Sequence, residues 1–319
     1  MTKAAKESTS ATLCSDFAMS VLEGLSRPAK SLPCRFFYDA AGSALFEEIT
    51  RQPEYYLTGS EVEILEAHAG EMIGEAQSDM VLVEFGSGSS LKTEILLRQT
   101  RSLHAYAPID ISTSALSSAA QRLRVRFPRL NVRPLPADFS RPIELPPDLA
   151  TRPKLGFFPG STIGNFSPLE AMKLLRAMRG TLLPNARLII GVDLRKDARR
   201  LLAAYDDAKG VTAAFNLNLL ARINRELNGK FNLNSFRHEA IYDDSLGRVE
   251  MRLVSLRNQA VRIADRVFNF HAGEAIQTEY AYKYDVGDFH RVARSAEWRP
   301  LRDWMDKDNL FSVHELSAD

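Results

Sequence analysis

Val81-Leu82-Val83-Glu84-Phe85-Gly86-Ser87-Gly88-Ser89-Ser90-Leu91-Lys92-Thr93 is the stretch on which the reading of the fold turns. A run of branched apolar residues closes on a carboxylate, passes two glycines and enters Thr93-Glu94-Ile95-Leu96-Leu97, whose pattern is helical. This is how a buried strand feeds a ligand-binding loop. A dinucleotide fingerprint needs a third glycine for close helix–strand packing, and that position holds Leu91. Leu91 also replaces the glycine that a phosphate loop places before its lysine, so Gly86 to Thr93 only approximates that loop. The pattern Glu84-x-Gly86-x-Gly88 suits a backbone that approaches an adenosine sulfonium, S-adenosylmethionine (SAM), rather than a pyrophosphate. On the motif alone, a plain glycine turn between strand and helix stays open.

Outward from this loop the chain alternates. His104 to Asp110 reads as a second strand followed by a helix over Thr113 to Arg126, and Asp110 lies near the spacing at which an acidic residue accepts hydrogen bonds from a ribose; a helix cap is the competing use. Asn131 to Ala137 reads as a third strand closing on Asp138-Phe139, a carboxylate and an aromatic suited to an adenine edge and face. Leu155 to Ser161 and Ala186 to Asp193 read as a fourth and a fifth strand. Between them lies a helix over Pro168 to Leu182, with Ser167 as N-cap, proline at N1 and Glu170 completing a capping box. Repeated units of this length predict an α/β protein with a parallel sheet and ligands at the carboxyl ends of its strands. After Asp193 the pattern changes to a long helical stretch, Ala198 to Leu227, broken near Gly210. Strands follow over Val249 to Leu256, with Ala260 to Ile263 as a possible hairpin partner, and over Phe268 to Phe270 and Thr278 to Tyr284. The chain ends in a helix from Val286 to Ala296 and two strands, Trp298 to Trp304 and Leu310 to Leu316.

With 319 residues, 45% of them hydrophobic, the chain can bury a large core and form two domains. A formal charge of +1 without basic tracts argues against nucleic acid or a membrane surface as partner, and no apolar run is long enough to span a bilayer. Met1 to Ser10 lacks the pattern of a signal peptide and reads as a frayed terminus, so a cytoplasmic monomer is expected. Cys14 and Cys34 read as free thiols, and the six histidines are scattered without metal-ligand spacing, so no metal is expected.

Beyond these patterns, the chain resembles the SAM-dependent L-histidine Nα-methyltransferases of ergothioneine biosynthesis. The residues that carry the resemblance are Phe37-Tyr38-Asp39, Pro53-Glu54-Tyr55-Tyr56, Glu84-Phe85-Gly86-Ser87-Gly88, Gly160-Ser161-Thr162-Ile163-Gly164-Asn165, Ala204-Tyr205-Asp206-Asp207, Gly210 to Asn216, Glu250-Met251 and Thr278-Glu279. The resemblance implies a Rossmann-like SAM-binding sheet domain over 59–193 and 284–319. A second α+β substrate-binding domain would be formed by the N-terminal segment 13–58 and the insertion 194–283. It implies that Gly86, Lys92, Asp110, Asp138 and Phe139 bind SAM, Lys92 meeting the methionine carboxylate. The amino-acid substrate's carboxylate and amine would be held by Tyr55, Asn165 and Tyr205, with Gly160 nearby and Tyr38 as the catalytic residue beside the reacting nitrogen. Met251, Glu279 and Ala281 would line the side-chain pocket, Glu279 facing the imidazole. Where the family reads Glu-x-Ser-x-Lys, this chain has Glu279-Tyr280-Ala281-Tyr282-Lys283, so one expected imidazole partner is missing. A methyltransferase of another aromatic amino acid or small amine, and a SAM-fold protein without catalysis, are the rival readings.

Overall fold

Every residue of β1 (Val81–Phe85) is buried. Because successive side chains point to opposite faces of a sheet, both faces there are covered, as in a parallel α/β core. In this computed structural model β1 pairs in parallel with β2 (Ala105–Asp110) on one side and β4 (Lys154–Phe158) on the other. β3 (Leu135–Pro136) continues the sheet beyond β2, and β5 (Ala186–Asp193) continues it beyond β4. The last two strands, β11 (Arg299–Met305) and β12 (Phe311–Ala318), form a hairpin, and β12 adds antiparallel to β5. The order is β11-β12-β5-β4-β1-β2-β3. Strand order therefore reverses between β1 and β4, the position where open α/β sheets leave a crevice beyond the strand ends.

The structure describes residues 16–74, 79–87, 91–100, 103–183 and 185–318. The terminal segment read as frayed, Cys14, and Gly88 to Ser90 of the glycine loop lie outside the described residues. The chain divides into two compact units, one of residues 57–195 with 282–319, the other of 1–56 with 196–281.

The first unit holds the seven-stranded sheet. Its helices are α3 (Tyr56–Ile73, entering the unit at Leu57), α4 (Leu91–Gln99), α5 (Thr113–Arg126), the short α6 (Pro147–Ala150), α7 (Pro168–Leu182) and α10 (Val286–Ser295). Val81, Val83, Phe85, Leu188, Ile190, Leu175, Met178, Phe289 and Trp298 share one core, and the Trp298 indole donates to the Leu175 carbonyl at 2.9 Å. The capping box expected at Ser167 is present, with Glu170 returning its bond to the Ser167 N–H. The third strand is a correction: only Leu135–Pro136 pairs as a strand, with one further bridge at Val132. Pro134 and Pro136 have no N–H to give a ladder, which limits this segment to a short sheet edge.

The second unit contains the described part of α1 (residues 16–26), α2 (Ala40–Ile49), α8 (Ala198–Tyr205), α9 (Val211–Glu226) and two small antiparallel sheets. One orders β10 (Ala275–Tyr282), β7 (Arg248–Ser255) and β6 (Phe236–Asp243); the other pairs β8 (Gln259–Ile263) with β9 (Arg266–Phe270). The expected pairing of Ala260 to Ile263 with the strand before it is corrected by this arrangement, since β8 pairs with β9 while β7 lies between β6 and β10. Helix α9 packs on α2 and on β6, and Phe215 of α9 stacks on Phe37 with ring centroids 4.5 Å apart. Gly210 supplies the left-handed residue, φ +72°, at the start of α9, and both Asp207 oxygens accept from the Val211 and Thr212 N–H groups at 3.0 and 2.7 Å.

Candidate active site

At the end of β1 the chain turns through Gly86 with φ +70°, a conformation that favours glycine. A side chain there would also meet the Phe139 ring at 3.6 Å. Phe139, after β3, stands edge-on to Phe85 and Phe158 at 6.3 and 5.7 Å, so the aromatic face and the glycine turn are brought together. Asp110 ends β2 half-buried and accepts from the Ser112 N–H at 2.8 Å; Asp138 is exposed and accepts from the Ser140 N–H at 2.9 Å. Both carboxylates thus shape their own turns.

Beneath the loop, buried Glu84 accepts hydrogen bonds from the Thr93 hydroxyl at 2.6 Å and from the Tyr106 phenol. Burial pushes its carboxyl up to about 7 despite those bonds and the Lys92 charge nearby. Lys92 itself reaches Glu61 of α3 at 2.5 Å. Glu61 is fully buried, and both of its oxygens lie 2.9 Å from the Gly160 N–H. Gly191 in β5 makes room for this carboxylate, since a Cβ there would stand 2.2 Å from it. Glu61 was not singled out in the sequence, where it is one acid on an amphipathic helix. The only signal for it is a lysine in a loop that holds no phosphate.

The loop after β4 carries Gly160 (φ +84°) and Ser161 (φ 54°) into a single 3-10 turn, Thr162–Asn165, which places Asn165 half-buried. The Ser161 hydroxyl accepts from the Asp193 N–H at 2.9 Å, and Gly164 allows close packing on the Tyr282 carbonyl, 2.7 Å from where a Cβ would stand. Asp193 in turn pairs with Lys283 at 2.8 Å, both buried. The lysine of the Glu279 to Lys283 stretch is therefore committed to a buried ion pair in the sheet unit.

In the other unit, Tyr38, Phe46, Tyr55 and Tyr205 form a chain of edge contacts with centroid separations of 5.5, 6.2 and 6.5 Å. Asp39 holds Tyr38 in place. It caps α2 through the Gly42 N–H at 2.7 Å and accepts from Asn218 at 2.9 Å and from Arg225. The Tyr38 side chain keeps 40% of its surface open, while its hydroxyl end lies among charged and phenolic groups. Desolvation there, and then the Glu279 charge, hold the phenol well above its usual range, so it stays protonated at neutral pH. The same two causes push the Cys34 thiol up to about 12. Glu279 is half-buried on β10, two residues from buried Ala281, and Met251 of β7 is buried with its carbonyl accepting from Thr278 of β10 at 2.9 Å. Tyr38, Tyr55, Tyr205 and Glu279 are thus gathered within one unit, with Met251 and Ala281 on the same small sheet as Glu279.

Tyr205 has a support that sequence reasoning missed. His238 of β6 is buried, donates through Nε2 to the Tyr205 carbonyl at 2.8 Å, and accepts at Nδ1 from the Asn216 amide at 2.8 Å. A carbonyl can only accept and an amide nitrogen only donate, which fixes the tautomer.

A Rossmann-like sheet with an antiparallel terminal hairpin, a glycine turn against an aromatic, and strand-end carboxylates define a SAM-dependent methyltransferase. The model described as "Histidine-specific methyltransferase, SAM-dependent" matches residues 17–318, and the chain belongs to that family. It is 40% identical over 298 residues to the histidine N-alpha-methyltransferase of Mycolicibacterium smegmatis, covering 92% of each chain. It is 30% identical to ergothioneine biosynthesis protein 1 of Neurospora crassa, over 90% of this chain and 33% of that longer one. A 4-dimethylallyltryptophan N-methyltransferase of Aspergillus fumigatus is 28% identical over 93% of this chain and 92% of its own.

Proposed function

We propose that the protein methylates the α-amine of L-histidine with SAM, ending at Nα,Nα,Nα-trimethyl-L-histidine (hercynine), the first step of ergothioneine biosynthesis. The observation that carries this reading is the family match over 17–318, together with the histidine N-alpha-methyltransferase relative that the chain covers almost end to end. The Glu279 charge that acts on the Tyr38 phenol supports it.

In this reading the sheet unit binds the cofactor and the other unit contributes most substrate contacts. Gly86, Lys92, Asp110, Asp138 and Phe139 would hold SAM, which supplies an electrophilic methyl group on a sulfonium. The glycine turn against Phe139 leaves space for a backbone approach, and the Asp110 carboxylate suits a ribose diol. Tyr55, Asn165 and Tyr205, with Gly160, would hold the amino acid's carboxylate and amine. Their task is alignment, since a displacement needs the amine close to and in line with the methyl carbon. Tyr38 is too weak a base to take the amine proton, because its phenol is held protonated; it orients the amine, which reaches the site neutral after losing its proton to water. The aromatic chain from Tyr38 to Tyr205 suits a product that ends as a trimethylammonium. Met251, Glu279 and Ala281 would line the side-chain pocket, Glu279 accepting from the imidazole. We place no metal in this step. The protein would act as a cytoplasmic monomer on a small molecule, without nucleic acid or membrane. None of the described helices is long and apolar enough to cross a membrane.

A second reading, another aromatic amino acid as substrate, draws on Ala281, which removes a hydroxyl from a buried position, and on the relative that methylates a tryptophan derivative. Mass spectrometry of products after incubation with SAM and a panel of free amino acids separates the two. Trimethylhistidine as the dominant product is expected; methylation of tryptophan or tyrosine in preference would select the second reading.

A further inference from the structure

Two histidines and an aspartate converge in the sheet unit. His290 of α10, Asp303 of β11 and His314 of β12 place one ligand atom each within 4.8 Å of one another. His290 Nε2 stands 3.1 Å from His314 Nδ1 and 3.9 Å from an Asp303 oxygen. Ligand atoms about 2.0–2.2 Å from a tetrahedral zinc ion lie roughly 3.3–3.5 Å apart, so these separations close on a metal with small side-chain movements.

The backbone is arranged to make this set. Asp303 lies directly opposite His314 in the β11–β12 pair, hence on the same face of the sheet. It does so because the register shifts between Pro300 and Arg302. Continued without that irregularity, the Arg299–Ser317 and Pro300–Leu316 pairing would put Arg302 opposite His314, a cation where the cluster has a carboxylate. Bulges commonly re-aim a side chain in this way. Helix α10 packs on β11, and its Phe289 covers the His314 ring at 4.6 Å, so the neighbouring His290 turns onto the same face.

The surroundings match what a metal-ligating histidine needs. The Ser312 hydroxyl lies 2.8 Å from His314 Nε2 and donates to the Val192 carbonyl, so the network assigns the ring proton to Nε2 and leaves the Nδ1 lone pair facing His290. His314 is fully buried, while the His290 and Asp303 side chains are 17% and 27% exposed, which gives an ion a route in and a position for water.

We propose that His290, Asp303 and His314 form a binding site for one divalent transition metal, zinc by its two imidazoles and one carboxylate, that ties α10 to the terminal hairpin. Binding moves the His290 ring proton from Nε2 to Nδ1 and frees Nε2 as the third ligand. The site stands apart from methyl transfer and does not depend on which amino acid is methylated.

The test uses tag-free full-length protein stripped with a chelator. It is titrated with Zn(II) by calorimetry and with Co(II) by visible absorption, in the wild type and in His290→Gln and Asp303→Asn. The two variants change partly exposed residues, and circular dichroism checks their folding; His314 is left intact because its burial makes a variant there prone to misfold. One Zn(II) per chain, Co(II) bands of low-symmetry coordination, a loss of affinity of at least about tenfold in each variant and unchanged methyl transfer are expected. Absence of saturable binding, or binding undiminished in both variants, would overturn the proposal.

Discussion

Substituting Lys92 with methionine removes the partner of a carboxylate with no solvent exposure. Glu61 would keep the Gly160 N–H and lose its ion pair with Lys92. An uncompensated buried charge costs about 3–5 kcal/mol, and because the Lys92 side chain is 21% exposed, so that water can reach the outer side of the pair, the lower end of about 3 kcal/mol applies. An unfolding entropy of roughly 2 cal/mol/K per residue turns this into a fall in Tm of about 5 °C if the whole chain unfolds together, or about 8 °C if the sheet unit unfolds by itself. Scanning calorimetry measures it. Glu61→Gln/Lys92→Met should regain most of the loss, since a neutral amide oxygen still accepts from Gly160. SAM affinity behaves differently: if Lys92 meets the methionine carboxylate, titration calorimetry finds it as weak in the double variant as in the single. A single-variant cost below about 1 kcal/mol, or costs that simply add in the double variant, would refute the buried-pair argument.

Three further outcomes are expected. Burial holds the Glu84 carboxyl near 7 in the folded protein, above its ordinary value, so its contribution to stability is complete below about pH 4.5 and lost as pH rises through 7, about 3 kcal/mol in all. Glu84→Gln should flatten denaturant midpoints across that window, and an unchanged profile counts against the buried acid. His238→Phe strands the Tyr205 carbonyl and one N–H of the Asn216 amide, which keeps its bond to the Arg252 carbonyl, costing about 1–3 kcal/mol. It should raise the substrate KM with SAM affinity intact, whereas a loss of SAM binding would show that Tyr205 positioning is not what His238 supplies. Glu279→Ala should abolish the kcat/KM preference for histidine over tryptophan and tyrosine, and Ala281→Ser should tighten histidine; unchanged ratios in Glu279→Ala would remove the carboxylate from imidazole recognition.

The parts of the fold that were legible in the sequence are those where local pattern and burial agree. β1 and β5 are continuous branched runs because both faces of the sheet are covered, and α7 announces itself through Ser167, Pro168 and Glu170. β6 was missed, since its charges, Arg237, Glu239 and Asp243, interrupt any alternation. The third strand was overestimated because the apolar pattern of Asn131 to Ala137 outweighed two prolines that cannot donate. The Ala260 to Ile263 partner was misassigned for another reason. Three residues between two runs can close a hairpin, but nothing local distinguishes that from each strand finding a different neighbour further along the chain.

The site divides in the same way. Gly86, Asp110 and Gly160 announce themselves because they stand where a strand stops, and a strand end is a feature of one segment. Glu61, Lys283 and His238 acquire their meaning from partners 31, 90 and 33 residues away, at Lys92, Asp193 and Tyr205. A buried ion needs a counterion, yet the sequence does not say which helix or strand supplies it. The histidine cluster is the extreme case. Its members belong to three elements, and an aspartate rather than an arginine faces His314 only because one register shift intervenes in β11. No spacing rule contains that shift, so the absence of a metal motif in the sequence carried no information about these three residues. Their convergence had to come from the pairing of the terminal hairpin and from the helix that covers it.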